Sequence, residues 1–216
     1  MLNELAKDQP KTTVLFVCDT AFEVQARGLM QGSVLPVRVQ TITAGKLRRY
    51  SHLTTLRQLL MPRLVVANMR DMFKVAIGTI QSVALILSFK PDVVFAKGGY
   101  VCLPIGIAAR LLRIPMVVHD SDARPGLTNR ILGRWAAAIA TGSPLENYRY
   151  PAAISRYVGV PIAAEFHPYD LTEQEQAKRK LGFSSGLPLV VVTGGGLGAA
   201  SINVAMLGAA RELLAH

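Results

Sequence analysis

Short apolar runs alternate with helix-type patterns along most of this chain, and this alternation limits the fold more than any other feature. The segment 14–18 is typical of a buried strand, and further strands are predicted at residues 37–41, 92–96, 116–118, 138–140 and 156–158. The stretches between them predict helices at residues 22–31, at 53–66 (up to or across Pro62), at 69–88, and from near Pro104 and Gly126. Because this order is typical of βαβ units, the sequence predicts an α/β fold, a Rossmann-like parallel sheet with helices on both faces.

The alternation breaks between Pro161 and Pro188, where a charged helical pattern at 172–181 has few apolar positions. Such a segment is typical of a joint between domains. A strand at 189–193, a glycine loop and a helix then resemble the opening of a second Rossmann-like domain. The expected divisions are a first domain at residues 1–163, a joint at 164–187, and the opening part of a second domain at 188–216.

Composition excludes several classes of protein. Half of the 216 residues are apolar, enough to bury a core, which argues against disorder or a fibre. The cysteines, Cys18 and Cys102, lack the spacing of a metal site or disulfide framework, as expected in a reducing cytoplasm. The polar N-terminus predicts no signal peptide, and the longest apolar run, 75–89, is shorter than the roughly 20 residues of a spanning helix.

Two polar turns, at residues 97–104 and 119–129, each follow a predicted strand and precede a predicted helix. In an open parallel sheet such turns meet at the carboxyl edge, where helix N-termini and free backbone N–H groups receive ligands. The sequence therefore predicts a ligand cleft at this edge.

The net charge of +10 is concentrated between Arg38 and Lys74, where eight basic residues and one acidic residue are interleaved with leucines. One interpretation is a core-facing helix with a solvated cationic face. A second is adsorption to an anionic membrane surface, where each cation contributes about 1 kcal/mol. Nucleic-acid binding is the weakest, because only Tyr50 and Phe73 offer stacking surfaces and no recognition motif accompanies them.

The glycine loop at 194–198 is open to two interpretations. It is either a tight turn with close helix packing or a cradle for a diphosphate at a helix N-terminus. The hypothesis of a nucleotide-dependent oxidoreductase depends on this loop alone. Such an enzyme would also need an acidic residue about 20 positions further on to bind the ribose.

Five segments occur in a fixed order: Lys90-Pro91-Asp92-Val93-Val94 with Gly98-Gly99-Tyr100-Val101 and Pro104, His119-Asp120-Ser121-Asp122, Gly126-Leu127-Thr128-Asn129, Gly159-Val160-Pro161, and Gly194-Gly195-Gly196-Leu197-Gly198-Ala199 with Asn203. They resemble the motifs of the MurG-type glycosyltransferases, family 28 of the GT-B fold. The resemblance covers most of the chain from about Val14.

The resemblance implies an inverting transferase that moves GlcNAc from UDP-GlcNAc to undecaprenyl-diphosphate-linked MurNAc-pentapeptide in peptidoglycan synthesis. It implies a cytoplasmic enzyme on the inner face of the cell membrane, with no cofactor, no metal and no nucleic-acid partner.

The implied catalytic residues are His119 and Asp120. The implied acceptor-binding residues are Gly98, Gly99, Tyr100, Asp122, Thr128 and Asn129. The implied donor-diphosphate residues are Gly194, Gly195, Gly196, Gly198 and Asn203. The implied membrane-surface residues are Lys46, Arg48, Arg49, Arg57, Arg63, Arg70 and Lys74. For several of these residues a purely structural role is equally open: a turn at the glycines, a hydrogen-bond partner at His119, and a helix cap at Thr128 and Asn129.

The chain also departs from the family pattern. It lacks the opening strand and G-G-T-G-G-H loop, and the arginine after G-N-P aligns with Ile162 or Ala163. We expect a fragment truncated at both ends, holding the acceptor domain without its first strand–loop–helix and only the start of the donor domain. Such a chain is expected to be inactive alone. The alternative is a non-catalytic membrane and acceptor-binding subunit that works with a separate donor-binding chain.

Overall fold

The computed structural model describes residues 2–46, 61–162, 166–184, 186–194 and 199–213. The chain divides into two compact units, Met1–Pro161 and Ile162–His216. Arg48, Arg49, Arg57, Gly195, Gly196 and Gly198, all predicted site residues, lie outside the described residues.

The first unit is built from alternating strands and helices, as the sequence predicts. In chain order its elements are α1 (Leu2–Asp8), β1 (Val14–Cys18), α2 (Glu23–Met30), β2 (Val37–Thr41), α3 (Pro62–Phe89), β3 (Val94–Ala96), α4 (Cys102–Leu111), β4 (Met116–Asp120), α5 (Leu127–Leu132), β5 (Ala138–Thr141) and β6 (Ser155–Tyr157). All of the strand pairs are parallel. The predicted α/β class with a parallel, Rossmann-like arrangement is therefore confirmed.

The strands form two sheets rather than one. β1 pairs with β2, and a separate four-stranded sheet has the order β3-β4-β5-β6. Among the described residues no ladder joins β1 to β3. In chain order, α3 lies between β2 and β3 and therefore between the two sheets.

The main core lies between the four-stranded sheet and the helices packed on it. Val118 from β4, Ala108 from α4 and Leu132 from α5 are fully buried there. α4 and α5 approach closely at Gly106, where an added Cβ would overlap the Leu132 side chain. A smaller cluster of Cys18, Ala26 and Val39 joins β1, α2 and β2.

Helix α3 is a single helix of 28 residues that begins at Pro62. Proline is favoured in the first turn of a helix because it lacks an N–H, and an N–H at that position would have no intrahelical acceptor. By length and composition alone α3 could cross a membrane, with a mean hydropathy of 1.7 over its most apolar window. The apolar run at residues 75–89 is only the second half of this helix, so the length of that run by itself does not exclude a span. α3 packs on the chain after β2, where Gln81 Oε1 accepts a hydrogen bond from the Thr43 N–H at 2.7 Å.

The second unit contains two described helices, α6 (Leu171–Lys180) and α7 (Ala200–Leu213). α6 starts with a capping box, in which Asp170 and Glu173 each accept the other's backbone N–H. The strand expected at 189–193 is not formed among the described residues, and Val190, Val191 and Val192 are exposed. The physical reason is that a strand needs a ladder partner, and no described strand pairs with this stretch.

Candidate functional site

The loop after β3 depends on two glycines in the left-handed region. Gly98 has φ of 104° and Gly99 has φ of 86°, values that a side-chain-bearing residue adopts only with strain. The space beside Gly99 is open, because an added Cβ would meet no atom within 4 Å. The loop therefore offers backbone that a ligand can approach closely.

Asn129 lies directly beside this loop, so the structure brings the two predicted turns together. A Cβ at Gly98 would lie 3.0 Å from Asn129 Nδ2. Asn129 is 5% exposed, and its Oδ1 has no hydrogen-bond partner among the described residues. A buried amide oxygen without a partner is costly unless a ligand, water or ion supplies a donor.

Helix capping does not explain Thr128 or Asn129. The N-cap of α5 is Gly126, and no side-chain hydrogen bond caps this helix. Thr128 is half-buried at the start of α5, while Asp122 is exposed in the loop before it.

Tyr100 is held by a residue that sequence reasoning missed. Its hydroxyl donates a hydrogen bond to Asp19 Oδ2, and Asp19 Oδ1 accepts the Phe22 N–H at 2.9 Å. The hydrogen bond to Asp19 and burial raise the pKa of Tyr100 to about 12. Asp19 is 81 residues from Tyr100 in the chain, so no local pattern could have indicated the pair.

His119 and Asp120 lie at the carboxyl end of β4 but are buried, at 2% and 1% exposure. His119 Nε2 lies 3.1 Å from the Gly159 carbonyl oxygen, so it carries the hydrogen and donates. Nδ1 then accepts from the Ser121 hydroxyl, also at 3.1 Å. Both ring nitrogens are therefore engaged within the protein.

Asp120 belongs to a tyrosine cluster that the sequence also did not indicate. Tyr150 donates to Asp120 Oδ2 at 2.7 Å, and its ring stacks on Tyr148 with centroids 5.6 Å apart. Burial, followed by the bond to Asp120, raises the pKa of Tyr150. The Tyr148 hydroxyl donates to the Asp122 carbonyl at 2.6 Å, so this cluster braces the second turn from β4 to its exposed end.

The described donor-side residues lie in the second unit. Gly194 must stay small, because a Cβ there would overlap the side chain of Ala199. Asn203 is exposed on α7, and its N–H donates to the Ala199 carbonyl at 3.0 Å. Among the described residues no group of His, Cys, Asp or Glu could hold a metal ion.

Helix α3 has apolar residues on two opposite faces. The buried face includes Leu64, Gly78 and Ile86 together with the polar residues Asp71 and Ser82. The opposite face forms an exposed apolar stripe made of Val66, Met69, Phe73, Ile77, Ile80 and Leu87. At about 100° per residue, the cations Arg63, Arg70 and Lys74 fall in a row along one side of the stripe. Lys46, at the end of the segment after β2, is exposed.

A family model described as the glycosyltransferase family 28 N-terminal domain matches residues 34–141, half of the chain, and includes both loops. The chain belongs to glycosyltransferase family 28. A curated relative from Treponema pallidum (strain Nichols) is 37% identical over 169 residues, covering 77% of this chain and 40% of the relative. A relative from Legionella pneumophila (strain Paris) is 36% identical over 181 residues, 83% of this chain and 45% of the relative.

Both relatives are named UDP-N-acetylglucosamine–N-acetylmuramyl-(pentapeptide) pyrophosphoryl-undecaprenol N-acetylglucosamine transferase. The chain spans less than half the length of each. A crystal structure of Acinetobacter baumannii MurG matches 72% of this chain and 47% of its own at 25% identity, with a TM-score of 0.43.

Proposed function

We propose that this chain supplies the acceptor-binding part of a membrane-associated transferase. That enzyme moves GlcNAc from UDP-GlcNAc to undecaprenyl-diphosphate-linked MurNAc-pentapeptide. The observation that carries the proposal is that one family match, residues 34–141, contains two turns that meet at the carboxyl edge of a parallel sheet. Ligands of open α/β sheets bind at this edge.

The acceptor site is proposed to lie between these turns. The backbone at Gly98 and Gly99 would face the diphosphate, since no side chain blocks its approach there. Asn129 Oδ1 would accept a hydrogen bond from the acceptor, which explains why this buried oxygen has no partner among the described residues. Tyr100, Thr128 and Asp122 would line the sugar and peptide side.

Inverting transfer needs a base to take the proton of the attacking hydroxyl. His119 and Asp120 remain the proposed candidates, and their burial sets a condition on that role. For His119 to act, the acceptor hydroxyl must replace Ser121 at Nδ1, while Nε2 keeps its bond to Gly159. The departing UDP would be stabilised by the donor-side loop with Gly194, Gly195, Gly196, Gly198 and Asn203, without a metal.

The exposed stripe of α3 is proposed to be the membrane-docking surface. An exposed apolar stripe with a flanking row of cations is the geometry of a helix that lies in the plane of a membrane interface. Lys46, Arg63, Arg70 and Lys74 would face anionic headgroups together with Arg48, Arg49 and Arg57, each adding about 1 kcal/mol. A lipid-linked acceptor requires its binding cleft to stand beside such a surface.

Complementation in trans tests the function. The chain is mixed with the carboxyl-terminal half of the Treponema pallidum relative, and transfer of labelled GlcNAc to the lipid-linked acceptor is measured in detergent micelles. We expect no transfer by the chain alone and transfer by the mixture. Acceptor binding without transfer in the mixture would favour a non-catalytic binding subunit. Failure of the chain to bind the acceptor lipid would overturn the proposal.

A further inference from the structure

The Asp19 carboxylate is a fixed point at the carboxyl end of β1. It directly follows Cys18, the last residue of β1, and it caps the turn Thr20–Phe22 through its bond to the Phe22 N–H. Its other oxygen points to Tyr100 and accepts the phenol hydrogen. One carboxylate oxygen of Asp19 therefore accepts a hydrogen bond from its own turn, and the other accepts one from the loop after β3.

Tyr100 is the first residue with a side chain after the two glycines of the β3 loop. Glycines restrict a backbone little, so the position of this turn depends on what holds its ends. On one side the turn continues from β3, and on the other Tyr100 leads into α4, with its carbonyl accepting the Leu103 N–H at 3.3 Å. A contact that holds Tyr100 therefore also holds the turn.

The bond joins two sheets that share no ladder among the described residues. Among the strands that the structure describes, β1 pairs only with β2, and β3 pairs only with β4. The Asp19–Tyr100 hydrogen bond links the segment after β1 to the loop after β3. It sets the spacing of these two carboxyl ends where the proposed acceptor cleft opens.

The bond also decides the hydrogen-bonding character of the phenol. A tyrosine hydroxyl has one hydrogen to donate, and here Asp19 receives it. The raised pKa of Tyr100, about 12, keeps that hydrogen in place at neutral pH. Toward a ligand the phenol oxygen can then only accept, and the adjacent carboxylate repels an anion.

We propose that Asp19 is a positioning residue of the acceptor site, which holds Tyr100 so that its hydroxyl oxygen accepts hydrogen bonds from the sugar or peptide of the acceptor and disfavours its diphosphate. This inference rests on the proposed function, because it assigns one residue within that site. It divides the ligand between two surfaces: the diphosphate contacts the glycine backbone, and the hydroxyl and amide N–H donors contact Tyr100.

The test compares wild type with Asp19→Asn and Tyr100→Phe. Asparagine keeps the size of the aspartate and its capping oxygen but removes the charge, and phenylalanine removes only the hydroxyl. Binding is measured to two probes in detergent micelles, undecaprenyl diphosphate and undecaprenyl-diphosphate-MurNAc-pentapeptide. We expect both variants to bind the second probe about tenfold more weakly, the cost of one hydrogen bond. Neither variant should bind undecaprenyl diphosphate more weakly than wild type does, since the repelling carboxylate is retained in Tyr100→Phe and removed in Asp19→Asn.

Ultraviolet titration of tyrosine ionisation supplies a readout independent of ligand. The chain has six tyrosines, and Tyr100→Phe identifies the contribution of Tyr100. In Asp19→Asn the pKa of this tyrosine is expected to fall from about 12 toward the ordinary value of about 10, with burial holding part of the rise. An unchanged titration would overturn the inference.

The binding outcomes separate the two proposals. Equal weakening for both probes, or no weakening for either, overturns the role of Asp19 while leaving acceptor binding intact. If wild type binds neither probe, the proposed function fails, and the titration alone then decides whether Asp19 holds Tyr100.

Discussion

At the scale of single residues, the site depends on where a side chain is forbidden. Gly98 and Gly99 share the same backbone region, but only Gly98 has a neighbour, the Asn129 amide, within reach of an added Cβ. A side chain at Gly99 would therefore cause backbone strain alone, whereas a side chain at Gly98 would cause strain and also crowd Asn129.

Substitution of each glycine by alanine measures both effects. We expect Gly99→Ala to lower the free energy of unfolding by about 1–2 kcal/mol, the cost of a left-handed residue with a side chain. Gly98→Ala should cost more, because its Cβ also displaces Asn129. Urea unfolding measures the difference, and an equal loss in the two variants would show that Asn129 does not press on the loop.

The Tyr100 phenol makes stability depend on alkaline pH. Its pKa is about 12 when folded and about 10 when unfolded, so the unfolded chain releases this proton first. The stabilisation is complete below pH 10 and is lost as the pH rises toward 12. We expect the free energy of unfolding of wild type to fall more steeply over this window than that of Tyr100→Phe. Parallel profiles would contradict the Asp19–Tyr100 bond.

Asp19, Tyr148 and Tyr150 show why the site was only partly predictable. The sequence indicated the turns, because glycines and acidic residues between a strand and a helix are a local signal. The partners of these turns lie 26 to 81 residues away in the chain. Contacts at such separation arise from packing, which no spacing rule encodes.

At the scale of elements, strand prediction succeeded where a strand had partners. The patterns at 14–18 and 37–41 match β1 and β2 at both ends. β1 is a continuous apolar run, β2 alternates apolar Val37 and Val39 with polar residues, and the two strands pair with each other. The similar run at 189–193 has no described partner and forms no strand. Apolar composition alone does not make a strand, since its backbone groups must be paired.

Helix α3 docks through a glycine, which gives a paired test. A Cβ at Gly78 would overlap the Thr43 backbone and lie 3.3 Å from Pro104 Cβ, whereas a Cβ at Gly208 in α7 meets nothing within 4 Å. We expect Gly78→Ala to destabilise the protein by more than about 2 kcal/mol. Gly208→Ala should be neutral or stabilising by up to about 1 kcal/mol, the gain in helix propensity. Thermal unfolding compares them, and a stable Gly78→Ala would contradict this docking.

The exposed stripe of α3 predicts how the chain meets a membrane. Phe73→Ser and Ile80→Ser remove side chains that are 69% and 72% exposed, so we expect folding to survive and partition onto phosphatidylglycerol vesicles to fall several-fold. Leu207→Ser, at a residue 79% exposed on α7, is the matched control. Equal effects at all three positions would contradict a specific docking face.

At the scale of the whole molecule, the family match and the proposed binding surfaces both lie in the first unit. The family match at 34–141 runs from before β2 to the end of β5, and it contains both turns of the proposed acceptor site. The stripe and cations of α3 belong to the same unit. One compact unit therefore contains the residues proposed for the acceptor and for the membrane.

The most direct test of this account is binding of the chain to the lipid-linked acceptor in nanodiscs. Nanodiscs containing undecaprenyl-diphosphate-MurNAc-pentapeptide are compared with nanodiscs containing undecaprenyl diphosphate at equal concentration, and with nanodiscs that contain neither lipid. The account predicts saturable binding to both and tighter binding when the sugar and peptide are present, because Tyr100 and Asn129 accept their hydrogen bonds. Equal affinity for nanodiscs with and without either lipid would contradict it, since the chain would then recognise only a charged surface.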